Sequence, residues 1–244
     1  MIIKYLNILA FVVMVAMNFL ANALPINNKT TGQLSAQYPN LFVPAGITFS
    51  IWGIIYLMLL VFVLIQFREQ NKAIIAAIGW AFVVTCILNA VWIVAWHYEL
   101  LPLSVIIMLG LLATLILING NLMQFSPGLT RAVFGIYLGW ICIATIANIT
   151  ALLVGYNWGQ WGLTQEGWAM IMIAAGVIIC VFAILRLDNP FIGLAVIWAL
   201  AGIILNRQSD FPAIVATAAT GIAAIAIITL LVFYRHLTDG GLSQ

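Results

Sequence analysis

Residues 133–153 read VFGIYLGWICIATIANITALL, an uncharged apolar run that is long enough to cross a bilayer as a helix. Trp140, Ala144 and Asn148 lie four residues apart in this run, so one helical face carries an indole ring, a small residue and an amide. Such a face can form a groove with an apolar floor and one polar group. It can equally be a packing seam, in which the small residue admits a neighbouring helix and the amide bonds across to it.

The composition of the whole chain indicates a membrane protein. Of its 244 residues, 66% are hydrophobic and 6% are charged, and the mean hydropathy is +1.21. A water-soluble surface needs far more charge than this. The sequence therefore predicts an all-α fold, a polytopic transmembrane helical bundle with about eight membrane-spanning helices, because backbone in lipid must satisfy its own hydrogen bonds. It contains no basic cluster, so no nucleic-acid partner is expected.

Eight apolar segments are separated by short polar turns and by two longer polar loops, 27–43 and 155–167. The predicted segments are 3–24, 44–67, 73–96, 102–119, 133–153, 168–185, 191–205 and 212–234. No linker is long enough to divide them, which predicts one continuous membrane domain.

The distribution of basic residues predicts the orientation in the membrane. Lys29 and Arg207 fall on one side of the predicted bundle, and six others fall on the opposite side: Lys4, Arg68, Lys72, Arg131, Arg186 and Arg235. Positive residues concentrate on the cytoplasmic side. We therefore expect both termini to be cytoplasmic and the two longer loops to lie outside a plasma or inner membrane.

The sequence lacks the residues that proton pumping, ATP hydrolysis and metal binding usually require. None of the eight segments has an ionisable side chain near its middle, which weighs against a proton-driven pump. The sequence has no Walker loop and no cluster with metal-ligand spacing. We predict no catalytic residue, no metal and no tightly bound cofactor.

Aromatic residues form two further stripes at helical spacing. One comprises Phe49, Trp52 and Tyr56, and the other comprises Asn89, Trp92 and Trp96. Rings with an occasional amide suit a flat, largely apolar ligand. The alternative is that tryptophan fills space and anchors helix ends, which is the interpretation preferred for the tryptophans near predicted interfaces: Trp80, Trp96, Trp158, Trp161 and Trp168.

On these residues the sequence resembles the TspO/translocator-protein family, the tryptophan-rich sensory proteins. The family's fifth helix has a pattern close to P-Y-x-x-W-x-x-x-A-x-x-L-N, and its third helix has L-N-x-x-W. Its second helix has a proline followed by F, W and Y. The corresponding residues are Ile136, Tyr137, Trp140, Ala144, Ala147 and Asn148, then Leu88, Asn89 and Trp92, then Pro44, Phe49, Trp52 and Tyr56.

The resemblance covers roughly residues 3–153 and implies a TspO-like five-helix bundle over 1–154, to which 155–244 add three helices and a short C-terminal tail. It also implies a pocket beneath the first loop that binds a hydrophobic aromatic small molecule, a porphyrin or other tetrapyrrole, or a sterol-like ligand. The ligand-binding residues that it implies are Trp52, Tyr56, Asn89, Trp92, Trp140, Ala144 and Asn148.

The sequence departs from the family in its first loop, which reads TTGQLSAQYPNLF instead of a W-Y-x-x-L-x-K-P signature. The charge count also places this loop outside, whereas family members are described with it facing the cytoplasm. Two other functions stay open: a small-molecule transporter or permease subunit, and a light-dependent porphyrin-degrading enzyme that uses Trp52 and Trp140. The expected partners are the lipid bilayer and the hydrophobic ligand, and homodimer formation is left open.

Overall fold

The computed structural model describes residues 2–24 and 26–241, and the regular elements in those ranges are all helical. The end of the predicted C-terminal tail, residues 242–244, lies outside the described residues. The ten α-helices are α1 (Ile2–Ala23), α2 (Thr31–Ala36), α3 (Ile51–Ile65), α4 (Lys72–Ile78), α5 (Ala81–His97), α6 (Leu101–Leu122), α7 (Leu129–Gly155), α8 (Gln165–Leu187), α9 (Phe191–Arg207) and α10 (Pro212–Gly241). The all-α prediction is confirmed.

The number of membrane-spanning helices is smaller than predicted. Within the described residues, six helices are long and apolar enough to cross a membrane, namely α1, α3 with its preceding turn, α6, α7, α8 and α10, and a seventh span results if α4 and α5 are counted together. The remaining apolar helix, α9, has 17 residues. At 1.5 Å per residue α9 is about 25 Å long, which is shorter than a hydrocarbon core of about 30 Å.

The predicted third segment, 73–96, is divided between two helices. α4 ends where Gly79 adopts a φ of +54°, a conformation that residues with a Cβ rarely adopt. The axes of α4 and α5 then differ by 60°. The apolar pattern alone did not reveal this break, because a single glycine leaves the hydropathy of the segment unchanged.

A short helix, α2, replaces part of the polar loop predicted over 27–43. The hydroxyl of Thr30 accepts a hydrogen bond from the backbone N–H of Gln33 at 3.2 Å, and the Gln33 side chain accepts one from the Thr30 N–H at 2.8 Å. This reciprocal pair is a capping box, which starts a helix. The T-x-x-Q spacing that encodes it is legible in the sequence.

The long helix α7 lies at the centre of the bundle. It packs against α6 on one side and α9 on another, and it also contacts α3 and α8. Most of its side chains are buried, including Phe134, Tyr137 and Trp140. The outer helices pack in turn on these neighbours: α1 on α5, and α10 on α8 and α9. The segment over 133–153 is thus the element around which the other helices assemble.

Glycines allow α7 and α9 to approach closely. A Cβ added at Gly139 would collide with the carbonyl oxygen of Ile192 in α9, and one added at Gly135 would press on the side chain of Asn189. Small residues at helix interfaces serve this purpose in membranes, where dispersion contacts rather than water exclusion hold helices together. The α7–α9 contact therefore depends on the absence of a side chain at Gly139.

The two ends of the bundle differ in polarity. At one end, which we call the basic end, Arg131 is only 3% exposed, and it donates to the carbonyl oxygens of Phe125 and Asp188. Arg235 pairs with the carboxylate of the same Asp188. Lys29 and Arg207 lie at the opposite end, which we call the loop end, where Arg207 bonds the carbonyl of Leu41 at 3.1 Å. These positions agree with the grouping of basic residues in the charge count.

Replacing Gly139 with alanine should destabilise the bundle. The new methyl group meets a backbone oxygen of α9, so the two helices must separate. We expect a loss of about 1–3 kcal/mol in unfolding free energy, as for overpacked cores, measured as a lower thermal midpoint in detergent. Gly53→Ala is the matched control, because a Cβ at Gly53 meets nothing within 4 Å. Equal stability of the two variants would contradict the close approach of α7 and α9.

Candidate functional site

A cavity of about 950 Å³ lies at the loop end of the bundle. Its walls come from α1, α3, α5 and α7, and α2 with the segment that follows it closes the top. Small-molecule sites in proteins are concave, mostly apolar and about 300–1,000 Å³ in volume. The size and position of this cavity make it the candidate site.

Aromatic rings from α3 form one wall of the cavity. Trp52 and Tyr56 are stacked, with ring centroids 5.4 Å apart and an interplanar angle of 19°. The edge of Trp52 also meets Trp140 of α7, with centroids 6.1 Å apart. Phe49, in the turn before α3, contacts Trp140 at 5.9 Å. These contacts fix a rigid aromatic surface, as edge-to-face and offset pairs do.

A second aromatic wall comes from α5. Trp92 and Trp96 are stacked, with centroids 5.7 Å apart and an interplanar angle of 16°. Trp96 is only 5% exposed and lines the cavity. Trp96 therefore fills space beneath α2, which covers that end of α5, and it also borders the cavity. Trp80, by contrast, is 62% exposed, in keeping with an interfacial position.

The floor of the cavity is the predicted face of α7. Trp140, Ala144 and Asn148 all line it. The Asn148 amide and the hydroxyl of Ser104 on α6 are hydrogen-bonded, with N···O and O···O distances of 3.1 and 3.2 Å. The two interpretations of this face therefore both apply, because its ring and small residue border the cavity while its amide joins α6 to α7.

Asn89 is the one predicted site residue that does not line the cavity. Its side chain donates to the hydroxyl of Tyr137 at 2.9 Å and accepts from the amide of Asn18 at 2.7 Å. Asn18 does line the cavity. Asn89 is thus linked to the cavity by its hydrogen bond with Asn18 of α1. The motif comparison did not include Asn18. The signal for Asn18 was an amide within a largely apolar span, which also contains Asn7 and Asn22.

Buried hydrogen-bond donors accompany the aromatic walls. The indole nitrogens of Trp92, Trp96 and Trp140 are inaccessible and have no hydrogen-bond partner among the described residues, and the hydroxyl of Tyr56 is also unpartnered there. A buried polar group without a partner costs about 1–3 kcal/mol. All four residues line the cavity through other atoms, while these polar atoms are packed against protein.

The short helix α2 covers the cavity and is held by the end of α5. Leu34 is fully buried against Trp96, Leu101 and Ala151. Lys29 pairs with a carboxylate oxygen of Glu99 at 2.6 Å. We call residues 29–38 the lid.

The far end of the lid is tied to the same carboxylate. The hydroxyl of Tyr38 donates to the second carboxylate oxygen of Glu99 at 2.9 Å. Burial, and after it this bond, raises the pKa of Tyr38 to about 12. The hydrogen bond from Lys29, followed by that from Tyr38, holds the pKa of Glu99 below its ordinary value. At neutral pH the charged carboxylate therefore joins both ends of the lid to the turn that follows α5.

The chain that follows the lid is held by α9. Arg207 donates to the carbonyl of Asn40 at 2.9 Å as well as to that of Leu41, and Trp198 donates to the carbonyl of Thr48 at 2.8 Å. The backbone N–H of Ala45 bonds the carbonyl of Gly202 at 2.9 Å. Because residues 40–49 include part of the cavity rim, α9 shapes the cavity without lining it.

These features define a class of protein, a helical integral membrane protein with an aromatic-lined cavity at one end of its bundle. A family model described as TSPO-like protein matches residues 4–232, and the chain belongs to that family. The match runs into α10, so it extends beyond the first five helices in which the motifs were found. No curated protein and no solved structure gives a significant match.

Replacing Glu99 with glutamine should loosen the lid. The variant lacks the carboxylate that pairs with Lys29, so we expect protease to cut within 27–43 about two- to fivefold faster at pH 7, the range set by partly exposed ion pairs. Because the pKa of Glu99 is lowered from 4.5, its contribution is present above pH 4.5 and is lost as the pH falls through the lowered pKa.

The same carboxylate change at the basic end supplies the control. Glu69→Gln removes the exposed pair with Lys72, and it should leave cleavage of the lid unchanged. A cleavage rate for Glu99→Gln equal to that of the wild type at pH 7 would contradict the role of Glu99.

Proposed function

We propose that this TSPO-like membrane protein binds a flat, hydrophobic aromatic molecule of the porphyrin, tetrapyrrole or sterol-like kind inside the loop-end cavity. The observation that supports this most directly is the convergence of three separate aromatic stripes on one cavity. Trp52, Trp92 and Trp140 come from three different helices, and all of them line it.

The geometry of the walls suits a planar ligand. Two stacked ring pairs, Trp52 with Tyr56 and Trp92 with Trp96, present rigid surfaces from α3 and α5. Ala144 and Ala147 line the α7 side of the cavity, and their small side chains leave space there for a ligand. Aromatic side chains gain both apolar burial and ring stacking with such a ligand, and their preorganised positions limit the entropy lost on binding.

Narrowing the cavity should weaken binding. Ala144→Phe introduces a ring into the floor between the aromatic walls, so the saturable binding of protoporphyrin, or of a fluorescent sterol, should weaken at least about tenfold. Binding would be followed by the ligand's own absorbance or emission in detergent-purified protein. Ala16→Phe, at an exposed position of α1 that does not line the cavity, is the control.

Two results would contradict the proposal. One is that a well-folded wild type binds neither ligand. The other is that Ala144→Phe and Ala16→Phe bind equally.

We also propose that the loop end faces outward and that both termini are cytoplasmic, in keeping with the excess of positive charge at the basic end. Ser126 and Ser209 are exposed at the basic end and the loop end, respectively. In intact spheroplasts, a membrane-impermeant maleimide should label Ser209→Cys and should label Ser126→Cys only after permeabilisation. The native cysteines, Cys86, Cys142 and Cys180, are buried and should give little background. The reverse pattern of labelling would show the opposite orientation.

A further inference from the structure

The lining of the cavity is exposed along one side only. Among the described residues that line the cavity, the exposed ones belong to α1, to the lid and to the turn before α3, and they are Phe19, Asn22, Ala23, Gly32, Ala36 and Gly46. The lining residues contributed by α5 and α7 are all buried or half-buried. The cavity therefore opens where the end of α1, one edge of the lid and the turn before α3 meet.

The helices α1 and α3 are joined at the basic end of the bundle. There the side-chain amide of Asn7 donates to the side-chain oxygen of Gln66, the C-cap residue of α3, at 2.9 Å. Toward the loop end α1 is bonded to α5 instead, since Asn18 donates to Asn89 at 2.7 Å. The opening thus lies beside two helices whose polar contact is at the opposite end of the bundle.

The edge of the lid that faces α5 is closed. Leu34 of the lid is fully buried against Trp96 of α5, and the carboxylate of Glu99 bonds both Lys29 and Tyr38. A ligand that passed between the lid and α5 would have to break these contacts. Passage through the opening beside α1 breaks none of them.

The surface on both sides of the opening is apolar. Phe19 of α1 is 67% exposed, and Ile47, which follows Gly46, is 64% exposed. Phe19 lies four residues before the end of α1 at Ala23, which places it about 6 Å inside that end of the helix. Apolar side chains with this much exposure are favourable in lipid and costly in water. The opening therefore faces the bilayer, near the boundary between acyl chains and headgroups.

From this one-sided opening we infer that ligands enter and leave the cavity sideways from the bilayer, between the end of α1 and the turn before α3, while the lid stays in place. This inference rests on the proposed function and specifies the source of its ligand, which is a molecule dissolved in lipid. Flat apolar molecules concentrate in the bilayer, and this route spares them a transfer into water.

Small residues border the opening, which we call the portal. Its border consists of Phe19, Ala23, Gly32, Ala36 and Gly46. All of these except Phe19 are glycine or alanine, so the backbone segments present little side-chain bulk to a passing ring system. A large group attached to this border should therefore obstruct the route.

A removable block in the portal tests the route. Gly46→Cys gives an attachment point where a Cβ meets nothing within 4 Å, and the native cysteines are buried. A bulky aromatic methanethiosulfonate attached there narrows the portal, and dithiothreitol removes it. We expect association and dissociation of protoporphyrin, followed by its absorbance in lipid nanodiscs, both to slow at least about fivefold, because a narrower route raises one barrier in both directions. The Kd should stay within about twofold, and reduction should restore both rates.

Two further variants complete this measurement. Ala23→Cys carries the same block on the α1 side of the portal, and it should slow both rates as well. Gly53→Cys is the matched control, because Gly53 is exposed and its Cβ position is free of contacts, but it does not line the cavity. Modification of Gly53→Cys should change neither rate.

The outcomes separate the inference from the proposed function. If the protein binds protoporphyrin but its rates ignore the block at both portal positions, or if the Gly53→Cys control slows equally, the inference is overturned and the proposed function stands. If the unmodified protein binds neither protoporphyrin nor a fluorescent sterol, the proposed function is rejected, and the inference with it.

A fluorescent label tests which medium the portal faces. Bimane attached to Gly46→Cys should be quenched more strongly by lipids with brominated acyl chains than by aqueous iodide. The same label on Ser209→Cys, at an exposed loop-end position away from the cavity, should show the opposite order. Stronger quenching by iodide at position 46 would place the opening in water and would overturn entry from the bilayer.

Discussion

The close approach of α7 and α9 is the contact on which the rest of the structure depends. It exists because Gly139 and Gly135 expose backbone where any larger side chain would collide with α9 or with the turn before it. In lipid, helices gain little from hiding apolar surface, so their association relies on this kind of tight packing. Because α9 packs on one side of α7, a different side of α7 faces α3 and α5.

The cavity is a consequence of that arrangement. α7 presents its small residues Ala144 and Ala147 where α3 and α5 present stacked rings, so the helices meet through aromatic edges and leave a volume between them. The lid then covers one side of this volume, held by one carboxylate that bonds both Lys29 and Tyr38. The helix α9 contributes from outside by fixing the chain after the lid through Arg207. The fold therefore uses its later helices to shape a site built from its earlier ones.

The polar groups at the site differ in whether they have a hydrogen-bond partner. Asn148 and Ser104 satisfy each other, and Asn89 is held between Asn18 and Tyr137. The indole donors of the cavity walls have no such partner among the described residues. This contrast separates the amides that hold the helices together from the indole N–H groups that are buried without a partner.

The sequence by itself determined the helical membrane class, the family and the aromatic faces of α3, α5 and α7, because hydropathy and helical spacing are local properties. Six of the seven predicted site residues line the cavity for this reason, although ligand binding by them stays a prediction. Only the tertiary structure decided that Trp96 faces inward, that Asn89 lies behind Asn18 and that Arg207 holds the chain after the lid. Helical periodicity shows which side chains share a face, but the rotation and depth of each neighbouring helix decide what that face meets.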